Sequence, residues 1–66
     1  MRLTINGELH ENIQAATLRE LLEELGIISG RVAVEVNMQV IKRTDFESFG
    51  LHDGDAIEIV NFVGGG

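Results

Sequence analysis

The sequence has no cysteine, no proline, no tryptophan and no tyrosine, and its three phenylalanines are its only aromatic residues. Without cysteine, no disulfide staples the chain and no thiolate is at hand to hold zinc or attack a substrate. Basic residues are scarce as well: five Lys and Arg stand against eleven Asp and Glu, for a net charge of −6. Such a chain is repelled by phosphate backbones and by anionic membrane surfaces, which argues against nucleic acid and membrane as partners. It suits a partner with a basic docking face. No apolar run approaches the roughly 20 residues of a membrane span. The opening "MRLTINGELH" has one positive charge and lacks the apolar core of a signal peptide, so a cytoplasmic protein is expected.

Catalytic groups are equally thin. His10 and His52 lie far apart in the chain with no helical partner, a poor basis for a metal site, and they read best as surface histidines. Asp53 and Asp55 flank Gly54, but a calcium loop needs several more oxygens at set spacing, so a tight turn with an Asp capping backbone amides is expected. Ser29 and Ser48 are the only serines, and nothing marks either as a nucleophile. The glycine run at 64–66 has no helix after it to present an N-terminus to phosphate. An enzyme is not expected.

What is present suffices for one small domain. A 66-residue chain buries only about 60% of the surface its unfolded form exposes, and its 44% apolar content must build the core unaided. "RLTINGELHENI" predicts a hairpin: Leu3 and Ile5 alternate with Arg2 and Thr4, Asn6-Gly7 makes the turn, and Leu9 and Ile13 follow. "TLRELLEELG" predicts a helix with Thr17 as N-cap and Glu20 at the capping-box position. Leu18, Leu21, Leu22 and Leu25 form its apolar stripe, Gly26 its C-terminal cap, and Arg19, Glu20, Glu23 and Glu24 a solvated face. "RVAVEVNMQVIKR" predicts a second hairpin turning at Asn37-Met38, with Asn37 as a turn residue or, on a functional reading, a partner contact. Phe46, Phe49 and Leu51 are expected to plug the core ahead of a last strand, "AIEIVNFV".

The order β-β-α-β-β-β predicts an α+β fold: a mixed sheet of about five strands with one helix packed on one face. If Ile57 and Ile59 of the last strand face that helix, then Ala56, Glu58, Val60 and Phe62 face the other way. Scattered surface hydrophobes are normal. Val60 and Phe62, however, sit immediately before the glycines, as a partner-binding patch would.

Three terminal glycines alone are compatible with a frayed end. Taken with "TING", "TLRELLEELG", "VAVEVNMQVIKR" and "LHDGDAIEIV", they give the whole chain a different meaning. Together these segments resemble the ubiquitin-like (β-grasp) sulfur carriers, and among them the ThiS-type carriers of thiamine (thiazole) biosynthesis. The resemblance implies a β-grasp domain over residues 1–63 and a flexible glycine tail over 64–66. It implies that Gly66 carries sulfur as a thiocarboxylate, that Gly65 is required by the partner enzymes, and that Gly64 adds reach. It implies two partners: an E1-like adenylating enzyme of ThiF type that brings ATP and magnesium, and a thiazole synthase of ThiG type. No cofactor is assigned to this chain, and a monomer is expected when free. The chemistry is consistent with the composition, because a main-chain carboxylate needs no cysteine to carry sulfur. Three other readings remain open: the small subunit of molybdopterin synthase or another sulfur carrier of this fold, a ubiquitin-like modifier, and a plain interaction domain.

Overall fold

The computed structural model describes residues 1–62, and its sheet is assembled from two hairpins whose turns both begin on asparagine. β1 (Leu3–Ile5) and β2 (Glu8–His10) run antiparallel around Asn6 and Gly7, whose φ angles are 51° and 80°. Two successive positive φ values are what a two-residue turn needs if its twist is to match that of the strands it joins. β3 (Val32–Val36) and β4 (Gln39–Ile41) meet in the same way around Asn37 and Met38, with φ of 52° and 71°. Asparagine tolerates this region, whereas the methionine Cβ is crowded there.

β5 (Ala56–Asn61) lies between the two hairpins in the order β2-β1-β5-β3-β4. It is parallel to β1 and antiparallel to β3, so the sheet is mixed, as expected. Along β3 the valines at 32, 34 and 36 are buried while Ala33 and Glu35 are exposed, the alternation of a sheet covered on one side only.

The cover is α1 (Leu18–Glu24). Both halves of its capping box form: the Glu20 N–H donates to Thr17 Oγ1 at 3.2 Å, and the Thr17 N–H donates to Glu20 Oε1 at 3.3 Å. At the other end Gly26 takes φ 73°, its N–H reaches the Glu23 carbonyl at 3.0 Å, and the Ile27 N–H reaches Leu22 at 2.8 Å. This left-handed ending satisfies two carbonyls that the helix leaves without partners. Leu18, Leu21 and Leu22 pack into one core with Leu3, Ile5, the three valines, Ile41 and Ile57. Phe46 and Leu51 close it from the connecting segment, and Phe49 and Leu25 are only partly buried at its margin.

The structure departs from the sequence expectation in three places. Single turns of 3₁₀ helix occupy Ser29–Arg31 and Arg43–Asp45, so Arg31 precedes β3 rather than opening it. Leu9 is exposed on the side away from the core, where its main chain pairs with Thr4. The acidic face of the helix is not merely solvated. Glu24 accepts the N–H groups of Gln14 (3.1 Å) and Ala15 (2.9 Å), and Glu20 accepts that of Ala16 (2.8 Å). Helical spacing shows which side of a helix faces water, but not which loop folds back onto that side.

The expected boundary between residues 63 and 64 lies outside the described residues. Met38→Gly is expected to stabilise the protein by up to about 1 kcal/mol, because a left-handed L-residue costs ~1–2 kcal/mol and glycine returns part of this as unfolded-state entropy. A urea midpoint that moves up confirms it; an unchanged or lower midpoint shows that the Met38 side chain makes compensating contacts.

Candidate docking face and tail root

β5 leads the chain toward its last residues, and both turn asparagines grip it. On one side the Asn6 N–H donates to the Ile57 carbonyl at 2.8 Å. The Asn6 side chain accepts the Ile59 N–H at 2.7 Å and donates to the Ile59 carbonyl at 3.2 Å. On the other side the Asn37 N–H donates to the Ala56 carbonyl at 2.8 Å, and Asn37 Oδ1 accepts the Ala56 N–H at 3.0 Å. Asn37 Nδ2 completes the set by donating to Asp55 Oδ1 at 2.9 Å. The turn reading of Asn37 therefore holds, and both ends of its side-chain amide are engaged within the chain.

The turn ahead of β5 is fastened by carboxylates, as the Asp-Gly-Asp pattern predicts. Asp55 Oδ2 accepts the His52 N–H at 2.8 Å, Asp53 Oδ1 accepts the Arg2 N–H at 2.6 Å, and Gly54 takes φ 89°. These bonds fix where β5 starts and hence which of its side chains point outward.

The outward set is the predicted one. Ile57 is fully buried and Ile59 partly, whereas Val60 is 60% exposed and Phe62 52%. Pairing with the neighbouring chain continues to the last described residue, where the Phe62 N–H donates to the Arg31 carbonyl at 3.0 Å. Across the open face Val60 stands opposite Ala33, Glu58 opposite Glu35, and Glu35 opposite Val40. At the same end of β5 a shallow pocket of about 220 Å³ is lined by Gly26, Ile27, Ile28, Arg31, Val32 and Asn61. Gly64, Gly65 and Gly66 lie outside the described residues.

Sequence reasoning missed the second task of Asn6 and the facing of Glu35 and Glu58. The alternation signalled that both glutamates point outward. That they stand opposite one another depends on register, and neither strand alone encodes it.

The body offers little chemistry. Among the described residues no group of three or more His, Cys, Asp or Glu is placed to hold a metal ion. His10 lies 3.3 Å from Glu8 on β2, and His52 lies 4.0 Å from Asp55 in the turn before β5, so each has its own carboxylate. No helix among the described residues is long and apolar enough to cross a membrane.

The ThiS family model matches residues 3–66. The chain belongs to the ThiS family. It is 36% identical over 62 residues to the sulfur carrier protein ThiS of Thermus thermophilus, covering 94% of this chain and 95% of that one. The crystal structure of the thiamine biosynthesis protein ThiS from Geobacter metallireducens superposes with a TM-score of 0.83 at 36% identity, covering all of both chains. The fold is thus the ubiquitin-like β-grasp of ThiS, and ThiS-type proteins are small sulfur carriers, not enzymes. A thiazole synthase from Paramagnetospirillum magneticum is 42% identical over all 66 residues, but the chain spans only 20% of that protein's length.

Phe62→Asp is expected to change stability by less than about 0.5 kcal/mol, as exposed substitutions do, whereas Ile57→Ala costs roughly 2–5 kcal/mol. Denaturant titration of the two variants checks this. A Phe62→Asp loss as steep as that of Ile57→Ala would place Phe62 in the core.

Proposed function

We propose that this ThiS-family chain carries sulfur for the thiazole ring of thiamine, as a thiocarboxylate on Gly66. The family match running through the glycines to residue 66 carries the reading. The lack of any cysteine supports it, since sulfur must then ride on a group other than a thiol.

A free α-carboxyl group, with a typical pKa of about 3.5, is ionised at neutral pH and is a poor electrophile. In the proposed reaction the Gly66 carboxylate attacks the α-phosphorus of ATP, and pyrophosphate leaves. A sulfur nucleophile then attacks the resulting acyl-adenylate, AMP departs, and the thiocarboxylate remains. The adenylating partner is of ThiF type and supplies ATP and magnesium. The acceptor is a thiazole synthase of ThiG type, a pairing supported by the thiazole synthase that carries a matching region within its own chain. The setting is the cytoplasm.

The division of labour follows from sterics. Residues 1–63 form the body that docks, and Gly64, Gly65 and Gly66 form the segment that threads. Without Cβ atoms those three residues fit a narrow channel, and extended they reach roughly 10 Å. Ordering them costs about 1–2 kcal/mol per residue, which contacts made elsewhere must offset. Val60 and Phe62 on the open face supply such contacts in this reading, so Phe62→Asp weakens partner binding.

The test is the intact mass of the protein after incubation with a ThiF-type enzyme, ATP and a sulfur source. The expected product is heavier than the starting chain by the difference between one sulfur and one oxygen. Deleting Gly66 abolishes the shift and leaves thermal unfolding unchanged, and Gly65→Val slows pyrophosphate release. An unshifted wild-type mass overturns the reading, and a mass raised by a whole attached protein replaces it with that of a modifier.

A further inference from the structure

The open face carries a pair of residues that the free protein would be better without. Glu35 on β3 and Glu58 on β5 are directly opposite one another in the antiparallel register. Directly opposed side chains on one face of a sheet stand about 5 Å apart at Cβ, and like charges there are destabilising. Both glutamates are exposed, and β5 is the central strand, so the two negative charges sit mid-sheet rather than at a fraying edge. The ion pairs among the described residues lie elsewhere: Glu8 with His10, Arg19 with Glu23 and Glu47, and Asp55 with His52. No cation of the described chain relieves this pair.

The surroundings are apolar. Val40, 68% exposed, stands opposite Glu35 on the far strand, and Val60 and Ala33 form the next cross-strand pair beyond the two acids. Two carboxylates within an uncovered apolar surface are weakly held apart by water. When a partner covers that surface and excludes water, their attraction for a cation strengthens. We propose that Glu35 and Glu58 form a clamp for one arginine or lysine side chain of the adenylating partner, with Val40 and Val60 as its apolar rim. A guanidinium suits the clamp best, because its planar fork of donors can bridge two carboxylates at once. Two carboxylates offer too few oxygens to hold calcium, and the chain's net charge of −6 disfavours a nucleic acid while favouring encounter with a basic protein surface. The inference deepens the carrier reading and rests on it for the partner's identity.

Pyrophosphate release by a ThiF-type adenylating enzyme, followed against carrier concentration, tests it. Glu35→Gln and Glu58→Gln should each raise KM about tenfold, the loss expected when one charge-assisted contact is removed, with kcat nearly constant. The double variant should be little worse than either single one, because both acids serve the same cation. Each single variant should also unfold at the same or a higher temperature than wild type, since it removes a repulsion. Glu23→Gln, on the helix side, should leave KM within about twofold, as surface changes away from a contact do. Wild-type KM should rise with salt, and that rise should be lost in the double variant. If wild type releases pyrophosphate while both single variants keep its KM, the clamp is overturned and the carrier reading stands. A wild type that releases none overturns the carrier reading, and the clamp's assigned partner with it. A wild type that self-associates through this face, with Glu35→Gln restoring the monomer, overturns the assignment by giving the acids to a second copy.

Discussion

The main-chain pairing of β5 is the constraint from which the other features follow. A strand at the centre of a sheet has hydrogen-bonding neighbours on both sides, and here each side adds the side chain of a turn asparagine, Asn6 at Ile59 and Asn37 at Ala56. A slip of one residue would send Ile57 to the open side and Val60 and Glu58 into the core. The two asparagines resist such a slip at positions where the β1 and β3 ladders alone would only favour the register. Because β5 is the last element, fixing its register also fixes the point and direction at which the chain leaves the sheet beyond Phe62.

One helix for a five-stranded sheet leaves one face bare. In a larger protein a second layer would cover it. Here the uncovered side carries Val40, Val60 and Glu58, while the covered side holds all of the buried hydrophobic core. Stability and recognition are thereby placed on opposite faces of the same strands. Side chains on the bare face are then free to be chosen for a partner, because changing them removes little from the core. That separation explains how a chain with so small a core can retain a strained Met38, a like-charge pair and half-exposed Phe62.

Much of this was legible in the sequence because the signals were local. The asparagine-led turns, the capping box at Thr17, the Gly26 cap and the alternation in β3 and β5 are each written within a few residues, and each appears in the structure where its pattern placed it. What could not be read is what depends on two distant segments meeting. The hold of Asn6 on Ile59, the reach of Glu24 back to Ala15 and the facing of Glu35 with Glu58 join residues 53, 9 and 23 positions apart, the last by 58 − 35. Composition also misled in one respect: Leu9 fits the apolar pattern of its hairpin yet lies on the bare face, because a three-residue strand at the sheet edge is too short for periodicity to show which side it presents.

The proposed chemistry makes different demands on the two parts of the chain, and the sequence meets them by different means. Threading a terminal carbonyl into a partner's site requires that the last residues bring no bulk, which glycine satisfies, but glycine also contributes no affinity. Affinity must come from the body, close enough to the exit point that docking and threading occur together. Val60 and Phe62 lie within the last turns of the ladder before the chain leaves it, and Glu58 is the next outward residue before them. An interaction made at those positions acts through a short, register-locked strand. Misplacing the strand by a single residue would therefore disturb recognition and delivery at once, which is why the clasp by two asparagines matters beyond its contribution to stability.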